Sequence, residues 1–476
     1  MVFSSLSFIL IFLPIALSFY YIAPFKYKSI VILVFSYVFY GWWRIDYLLL
    51  LFIVTVWSFI FGNFIFAEAD RSRRKILLSI AIVGPLLVLG YFKYFNFFID
   101  SLATVFNSGE PFSPLMGKII LPIGVSFYVF QAISYLIDVY REDAPPARSF
   151  FDFAAFKALF PQLVAGPVLR YKDLAHQFLY RKHSLDLFSE GCLRFFSGLA
   201  KKVLIADSVA PIADAIFDKA DPTFAEAWLG AAAYTIQLYF DFSGYSSMAI
   251  GLGLMMGFRF IENFEYPYIS RSITEFWRRW HLSLSAWLRD YLYIPLGGNR
   301  LGAARTYFNL FITMVLGGLW HGANWTFVLW GMWHGGLLAA ERLSGVKPND
   351  RRPLGALFLT LLLVVIGWVM FRAENVGSGL AIYAGMLGFN GFAIQPDIAW
   401  QVRNSALFCL AVGWLLVFVE PRLGKVENLA FTDKVGLQTP RLVSASMASI
   451  AFCALGFLSI LKLTADNDSP FLYFQF

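Results

Sequence analysis

Five histidines occur in the 476-residue chain, and two of them stand where a histidine is costly. His321 lies in the stretch LGGLWHGANW, between Trp320 and Trp325. The surrounding run from Tyr307 to Leu337 holds Asn309, Asn324, His321 and His334 but no Lys, Arg, Asp or Glu. A titratable side chain in such an apolar run is expensive and points to function unless a neighbour simply holds it in place. The second position is His281, in SITEFWRRWHLSLSAWLRDYLY. Ser272 or Thr274 with Glu275 forms a helix start. Trp277, Trp280, His281, Leu284, Leu288 and Tyr291 then recur at helical spacing, so the pattern predicts one amphipathic helix with His281 on its inward face. Arg278, Arg279, Arg289 and Asp290 fall off that face.

Three chemistries can use such a pair. A metal centre needs three or four ligands, and His321 and His334 have no Cys, Asp or Glu beside them. On a continuous helix, 13 residues would also turn these two histidines about 220° apart. No bound metal is therefore expected. A proton or ion pathway would draw on Gln237 and Asp241, one turn apart in YTIQLYFDFSGYSSM, because an intramembrane carboxylate is a relay candidate. Asp241 as a cap, or paired with a buried arginine, is the competing reading. Acyl transfer is the third: a histidine within hydrogen-bond reach of a hydroxyl can act as general base for attack on a thioester. Arg278, Arg279, Arg289, Arg300, Lys201 and Lys202 are suited in kind to the phosphates of a donor such as a coenzyme A. Two glycine patterns carry no such chemistry. Gly251, Gly253 and Gly257 have the wrong spacing for a dinucleotide loop. The pairs Gly318–Gly322 and Gly331–Gly335 are spaced to let helices approach closely.

The elements that position these residues follow from composition. Hydrophobic residues make up 59% of the chain, aromatic residues 19% and charged residues only 14%, against about 25% charged in ordinary soluble domains. This predicts an all-α polytopic membrane protein; the apolar runs are continuous, which excludes an alternating outer-membrane barrel. The net charge of +7 reads as cytoplasmic loops rather than nucleic-acid binding. The three scattered cysteines bound only the absence of a disulfide scaffold. The N-terminus, without a basic leader or cleavage site, reads as a retained first helix.

Apolar runs beginning near residues 5, 29, 47, 76 and 119 approach the length needed to cross about 30 Å of hydrocarbon. Others follow over 225–258, through 342, and near 355–372, 378–390, 404–420 and 442–463, predicting roughly ten to twelve spans. Lys26, Lys28 and the cluster Arg71, Arg73, Arg74 and Lys75 place the N-terminus outside and those loops in the cytoplasm. The 107–114 loop then faces outward, while the stretch after Tyr140 and the Glu341–Pro353 loop, with Arg342, Lys347, Arg351 and Arg352, face the cytoplasm. Residues 141–205 break the pattern. The Pro- and Gly-punctuated piece Phe153–Val168 suits a re-entrant or interfacial segment, or a loop docked on the membrane surface. His176 and His183 read as solvated. No linker separates domains, so residues 1–476 read as one membrane domain.

The segments FWRRWHLSLSAWLRDYLYIPLGGNR and LGGLWHGANWTFVLWGMWHG resemble the membrane-bound O-acyltransferase superfamily. The resemblance extends to the N-terminal MVFSS, to ILPIGVSFYVFQAISYLIDVYR, FPQLVAGPVLR and QLYFDFSGYSSMAIGLGLMMGFRF, and is densest over residues 120–342. Within the superfamily it points to the bacterial branch that acetylates secreted polysaccharides, alginate first, with bacterial cellulose and peptidoglycan as alternatives. The resemblance implies a ring of helices around a central tunnel. It assigns His321 as catalytic base and His281 as its partner. It also implies an acetyl donor, acetyl-CoA, on the cytoplasmic side of the inner membrane, and a separate periplasmic acetyltransferase as partner. Gln237, Asp241, Trp320, Asn324, Arg278, Arg279 and Arg289 are then candidates to line the tunnel or bind substrate. The competing class is a channel or transporter whose histidines are structural.

Overall fold

The computed structural model describes residues 1–106, 119–164, 166–346, 352–423, 453–465 and 472; these are helical, with no strand. The expected outward loop at 107–114, Lys347, Arg351 and residues 442–452 of the expected 442–463 run lie outside the described residues. The chain divides into two compact units, Ser7–Leu185 with Met256–Ile261, and Asp186–Met255 with Val2–Leu6 and Glu262–Phe476.

In the first unit the apolar runs form the helices Leu13–Ile22, Lys28–Gly41, Asp46–Ala67, Arg71–Leu89 and Val125–Arg141. Arg71–Leu89 continues through a π turn to Val105, and Asp70 caps its start by accepting from the Arg73 amide at 2.8 Å. Asp46–Ala67, Arg71–Val105, Leu354–Arg372 and Asn404–Arg422 are each long and apolar enough to cross a membrane. Large apolar side chains such as Leu49, Leu87 and Phe98 point outward, the arrangement of helices solvated by lipid. The protein is a multi-pass membrane protein.

Residues 153–164, expected as a re-entrant or docked piece, are buried in this unit as the short helices Phe150–Ala158 and Phe160–Leu163. Gly124, in the left-handed region at φ 76°, turns against them; a Cβ there would lie 2.4 Å from the Leu163 carbonyl oxygen. Such backbone is tolerated at membrane depth because protein surrounds it. His183 departs from its expected solvated state: its Nε2 lies 2.9 Å from the Tyr20 hydroxyl.

The second unit is built on the 32-residue helix Phe224–Met255, whose residues 233–255 are all buried. Its Gly244 and Gly251 meet Gly198 and Gly191 of the helix Leu185–Ala200. A Cβ at Gly198 would lie 2.4 Å from the Gly244 carbonyl oxygen, and one at Gly191 would lie 2.6 Å from that of Gly251. Glycine is required here for backbones to touch. A π segment, Lys201–Ala206, leads to the helix Asp207–Phe217, and the helices Leu354–Arg372, Val376–Met386 and Asn404–Leu423 complete the C-terminal part.

Two expectations need correction in this unit. The charge-free run around His321 is not one helix but a hairpin of Ala303–His321 and Trp325–Leu343, broken at Gly322–Asn324. The 220° argument separating His321 from His334 therefore does not apply. Gly318 and Gly331 seat the arms: a Cβ at Gly331 would stand 2.5 Å from the Met314 carbonyl oxygen. The second correction concerns residues 272–293, which form Ile273–Trp277, Leu282–Leu288 and a π segment, Arg289–Tyr293. The break falls at His281 itself, in the left-handed region at φ 45°. The expected start is present, since Ser272 accepts from the Glu275 amide at 3.0 Å. Glu341, reaching over from Trp325–Leu343, accepts from the Ile273 and Thr274 amides at 2.5 and 2.9 Å. A carboxylate there satisfies amides that a five-residue helix leaves unpaired and complements its dipole.

Candidate active site

His321 is the last residue of its helix and is 4% exposed. Its ring stands 5.1 Å from Trp320, 5.3 Å from Trp330 and 5.2 Å from Phe371, centroid to centroid. Trp330 sits one turn into the hairpin's second arm, and Phe371 ends Leu354–Arg372. The His281 ring approaches the same box, 6.4 Å from His321, 6.1 Å from Trp320 and 4.7 Å from Phe242. The two histidines, 40 residues apart in sequence, thus meet inside an aromatic enclosure with Trp320 beside both.

The hydrogen bonds of His281 define its protonation pattern. Asn263 Oδ1 lies 3.1 Å from His281 Nδ1 and accepts from the Ser283 hydroxyl at 2.8 Å and the Ser283 amide at 3.4 Å. A backbone amide can only donate, so the Asn263 atom facing it is the oxygen, which settles the amide orientation. His281 Nδ1 must then carry the proton. Nε2, buried and without a hydrogen-bond partner among the described residues, is left with its lone pair. The left-handed backbone at His281 makes this possible, bringing the Leu282 amide 3.0 Å from the Asn263 carbonyl oxygen. Asn263 escaped sequence reading because it lies in irregular chain ahead of Ser272, where no helical period relates it to His281.

A third buried histidine, His334, continues the cluster. Its Nδ1 accepts from Trp277 Nε1 at 3.4 Å, and its ring lies 5.0 Å from Trp330, which also lies 5.3 Å from His321. Trp330 stacks on Trp368 at 5.7 Å, and Trp368 lies 4.9 Å from Trp280. These rings make the surroundings of the pair apolar and hold its members against a continuous aromatic wall.

The remaining candidates lie elsewhere. Asn324 caps Trp325–Leu343, accepting from the Thr326 amide at 3.1 Å and donating to the Glu374 carbonyl at 2.8 Å; it shapes the turn after His321. Arg278 is exposed. Arg279 pairs with Glu275 at 2.9 Å, and Arg289 with Asp290 at 2.7 Å. Gln237 and Asp241 do come together, on a cavity of about 800 Å³ that they share with Lys202, Asp207, Arg403 and Lys462. Neither His281 nor His321 lines it. Asp241 is paired with Lys202 at 2.9 Å and accepts from the Leu472 amide at 3.0 Å; Lys202 also bonds Asp207. Lys201 pairs with Glu420 at 2.6 Å. Both lysines are therefore neutralised within the protein, against their expected use on donor phosphates. The buried partner of Asp241 is a lysine, not the arginine expected.

Fold and site together define an all-helical, multi-pass membrane protein in which two buried histidines face each other inside an aromatic box. A family model described as the membrane-bound O-acyltransferase family matches residues 147–370, a span holding both histidines and Asn263. The chain is 51% identical to a Pseudomonas putida protein named Probable alginate O-acetylase AlgI, over all of both chains. It is 50% identical to the Azotobacter vinelandii protein of the same name, again over all of both. A Helicobacter pylori protein named Peptidoglycan O-acetyltransferase is 37% identical, over all of this chain and 98% of its own. The chain belongs to the membrane-bound O-acyltransferase family and is an O-acyltransferase.

Proposed function

We propose that this protein is an inner-membrane O-acetyltransferase, its N-terminus periplasmic, that takes acetyl from cytoplasmic acetyl-CoA for O-acetylation of a secreted polysaccharide. The polymer is alginate, through the full-length similarity to proteins named alginate O-acetylases, and a periplasmic acetyltransferase carries the group onward. The chain acts as one membrane domain.

His321 is the general base: it takes the proton of the acceptor hydroxyl as the oxygen attacks the thioester carbonyl. The tetrahedral intermediate collapses with cleavage of the C–S bond, and the imidazolium returns the proton to the leaving thiolate. Nδ1–H to Asn263 leaves His281 with a lone pair on Nε2. A neutral imidazole in that form accepts a hydrogen bond but cannot donate one to an acyl oxygen. His281 in this form therefore does not polarise the carbonyl; because the reacting hydroxyl's one proton goes to His321, His281 orients the acceptor by accepting from a second donor group on it. The single observation carrying this reading is the 6.4 Å meeting of the two histidine rings within the aromatic enclosure.

The test is His321→Ala. The variant accumulates in the membrane but loses transfer from labelled acetyl-CoA by about 10²–10⁴-fold, the range for a positioned acid–base group. Acetylation near the wild-type rate would remove His321 from the mechanism. A transporter with structural histidines would show no transfer by the purified wild type. The similarity to the peptidoglycan enzyme makes peptidoglycan the second acceptor to assay.

A further inference from the structure

In the first unit, Lys28 and Arg181 are buried, 7% and 6% exposed. Lys28 Nζ donates to the Tyr20 carbonyl at 2.5 Å and lies 4.1 Å from the centre of the Tyr20 ring and 5.4 Å from that of Tyr21. Arg181 Nε donates to the Tyr20 hydroxyl at 3.2 Å and Nη1 to the Gln177 carbonyl at 2.9 Å. Its guanidinium lies over Phe258 at 4.2 Å and Phe25 at 5.3 Å. The Tyr20 hydroxyl gives its proton to the Met256 carbonyl at 2.6 Å, so it is an acceptor for Arg181 and His183 alike.

Among the described residues no carboxylate pairs with either cation. Three less buried cations of the same unit have carboxylates, whereas the fully buried Lys157 donates to the Tyr128 carbonyl. Arg74 has Glu142, Arg170 has Asp173, and Lys172 has both Asp138 and Asp143. Burial of two like charges together, with carbonyls, ring faces and the Tyr20 hydroxyl as their partners among the described residues, costs free energy that an anion would recover. The local field is positive enough that burial, and after it the charges of Lys28 and Arg181, hold the His183 imidazole below its ordinary range.

The rim indicates what kind of anion fits. Ile22, Phe25, Tyr27, Leu179, Tyr180 and Leu185 project outward beside the exposed Lys26 and Lys182. Apolar and aromatic side chains alternating with lysines suit the headgroup region of a bilayer. We infer that Lys28 and Arg181 form a binding site for the phosphodiester of an anionic phospholipid whose acyl chains lie along this rim. A zwitterionic headgroup would bring its own cation beside Lys26, Lys182 and His183, so a glycerol headgroup is preferred over ethanolamine.

The experiment uses the full-length protein in neutral detergent, titrated with phosphatidylglycerol, phosphatidylethanolamine or coenzyme A and read by native mass spectrometry. Wild type retains phosphatidylglycerol preferentially. Lys28→Met and Arg181→Gln each weaken it about fivefold, and the double variant roughly thirty-fold, from about 1 kcal/mol per cation near the surface. Equal retention of both phospholipids by wild type and double variant overturns the inference. Displacement of the lipid by coenzyme A also overturns it, assigning the site to a soluble phosphate. Thermal stability supplies a second readout. Without lipid, Lys28→Met is at least as stable as wild type, because an uncompensated charge has gone, and phosphatidylglycerol reverses the order. If Lys28→Met is the less stable with and without lipid, or does not accumulate while Lys28→Arg does and still shows no lipid preference, the cation serves only the fold.

Discussion

Replacing Asn263 by alanine separates positioning from packing. The substitution removes one oxygen that holds His281 Nδ1–H at 3.1 Å, the Ser283 hydroxyl at 2.8 Å and the Ser283 amide at 3.4 Å. Each buried donor left without a partner costs about 1–3 kcal/mol. The loss is smaller than the sum, because Ser283 Oγ already lies 3.4 Å from His281 Nδ1 and can turn to accept from it. A stability loss of about 2–3 kcal/mol is expected, a substantial part of the typical 5–15 kcal/mol of a folded protein. The effect on transfer has a different origin. Without the Asn263 carbonyl the ring is free to place its proton on Nε2, which can then no longer accept a hydrogen bond from the acceptor. Loss of an orienting group is worth about 10–100-fold in rate, or roughly 1.4–2.7 kcal/mol of activation free energy. The assay is acetyl transfer from labelled acetyl-CoA by the purified protein, normalised to folded protein and run in both wild-type and His281→Ala backgrounds. If Asn263 acts through His281, removing it from the His281→Ala protein changes the rate by less than about twofold. Two results would refute the reasoning: an Asn263→Ala protein that is less stable yet fully active, or full multiplication of the two single effects.

Two further predictions concern the frame around the site. Gly331→Leu places atoms against the Met314 oxygen and the Val315 Cα, at 2.5 and 2.8 Å from the first added carbon. This should cost at least about 1–3 kcal/mol and reduce membrane accumulation, whereas Gly336→Ala, with nothing within 4 Å, should be tolerated in the same expression assay. Lys202→Met leaves Asp241 buried without its cation and should destabilise by about 3–5 kcal/mol, with Lys202→Met/Asp241→Leu recovering most of the loss. Thermal unfolding of the single and double variants checks this; no recovery would mean that Asp241 is held by something other than the pair.

The site was partly legible because membrane burial makes a few residues conspicuous. His321 stood out for lack of any charge in its neighbourhood, and it is indeed buried against Trp320 and Trp330. The inward position of His281 was also legible, although the reason differs from the helical face that suggested it. Spacing alone implied a continuous helix; the chain instead breaks at His281 into a left-handed residue. Helix caps at Ser272 and Glu341 and the pull of Asn263 outweigh local periodicity there. Gln237 and Asp241 were correctly paired, since one helical turn separates them, but which cavity that face meets depends on helices distant in sequence.

By itself the sequence determined that the chain is helical and lives in a membrane, where its glycines allow close approach, and that His321 and His281 are costly histidines. These are consequences of composition and of periods along one helix, where neighbours in sequence are neighbours in space. Only the tertiary structure decided that His321 ends one arm of a hairpin, that His281 turns to meet it, and that Asn263 sets the proton on that ring. It alone shows Lys202 neutralised while Lys28 and Arg181 remain without a carboxylate among the described residues. Those outcomes depend on contacts between segments tens to hundreds of residues apart, which no local period encodes.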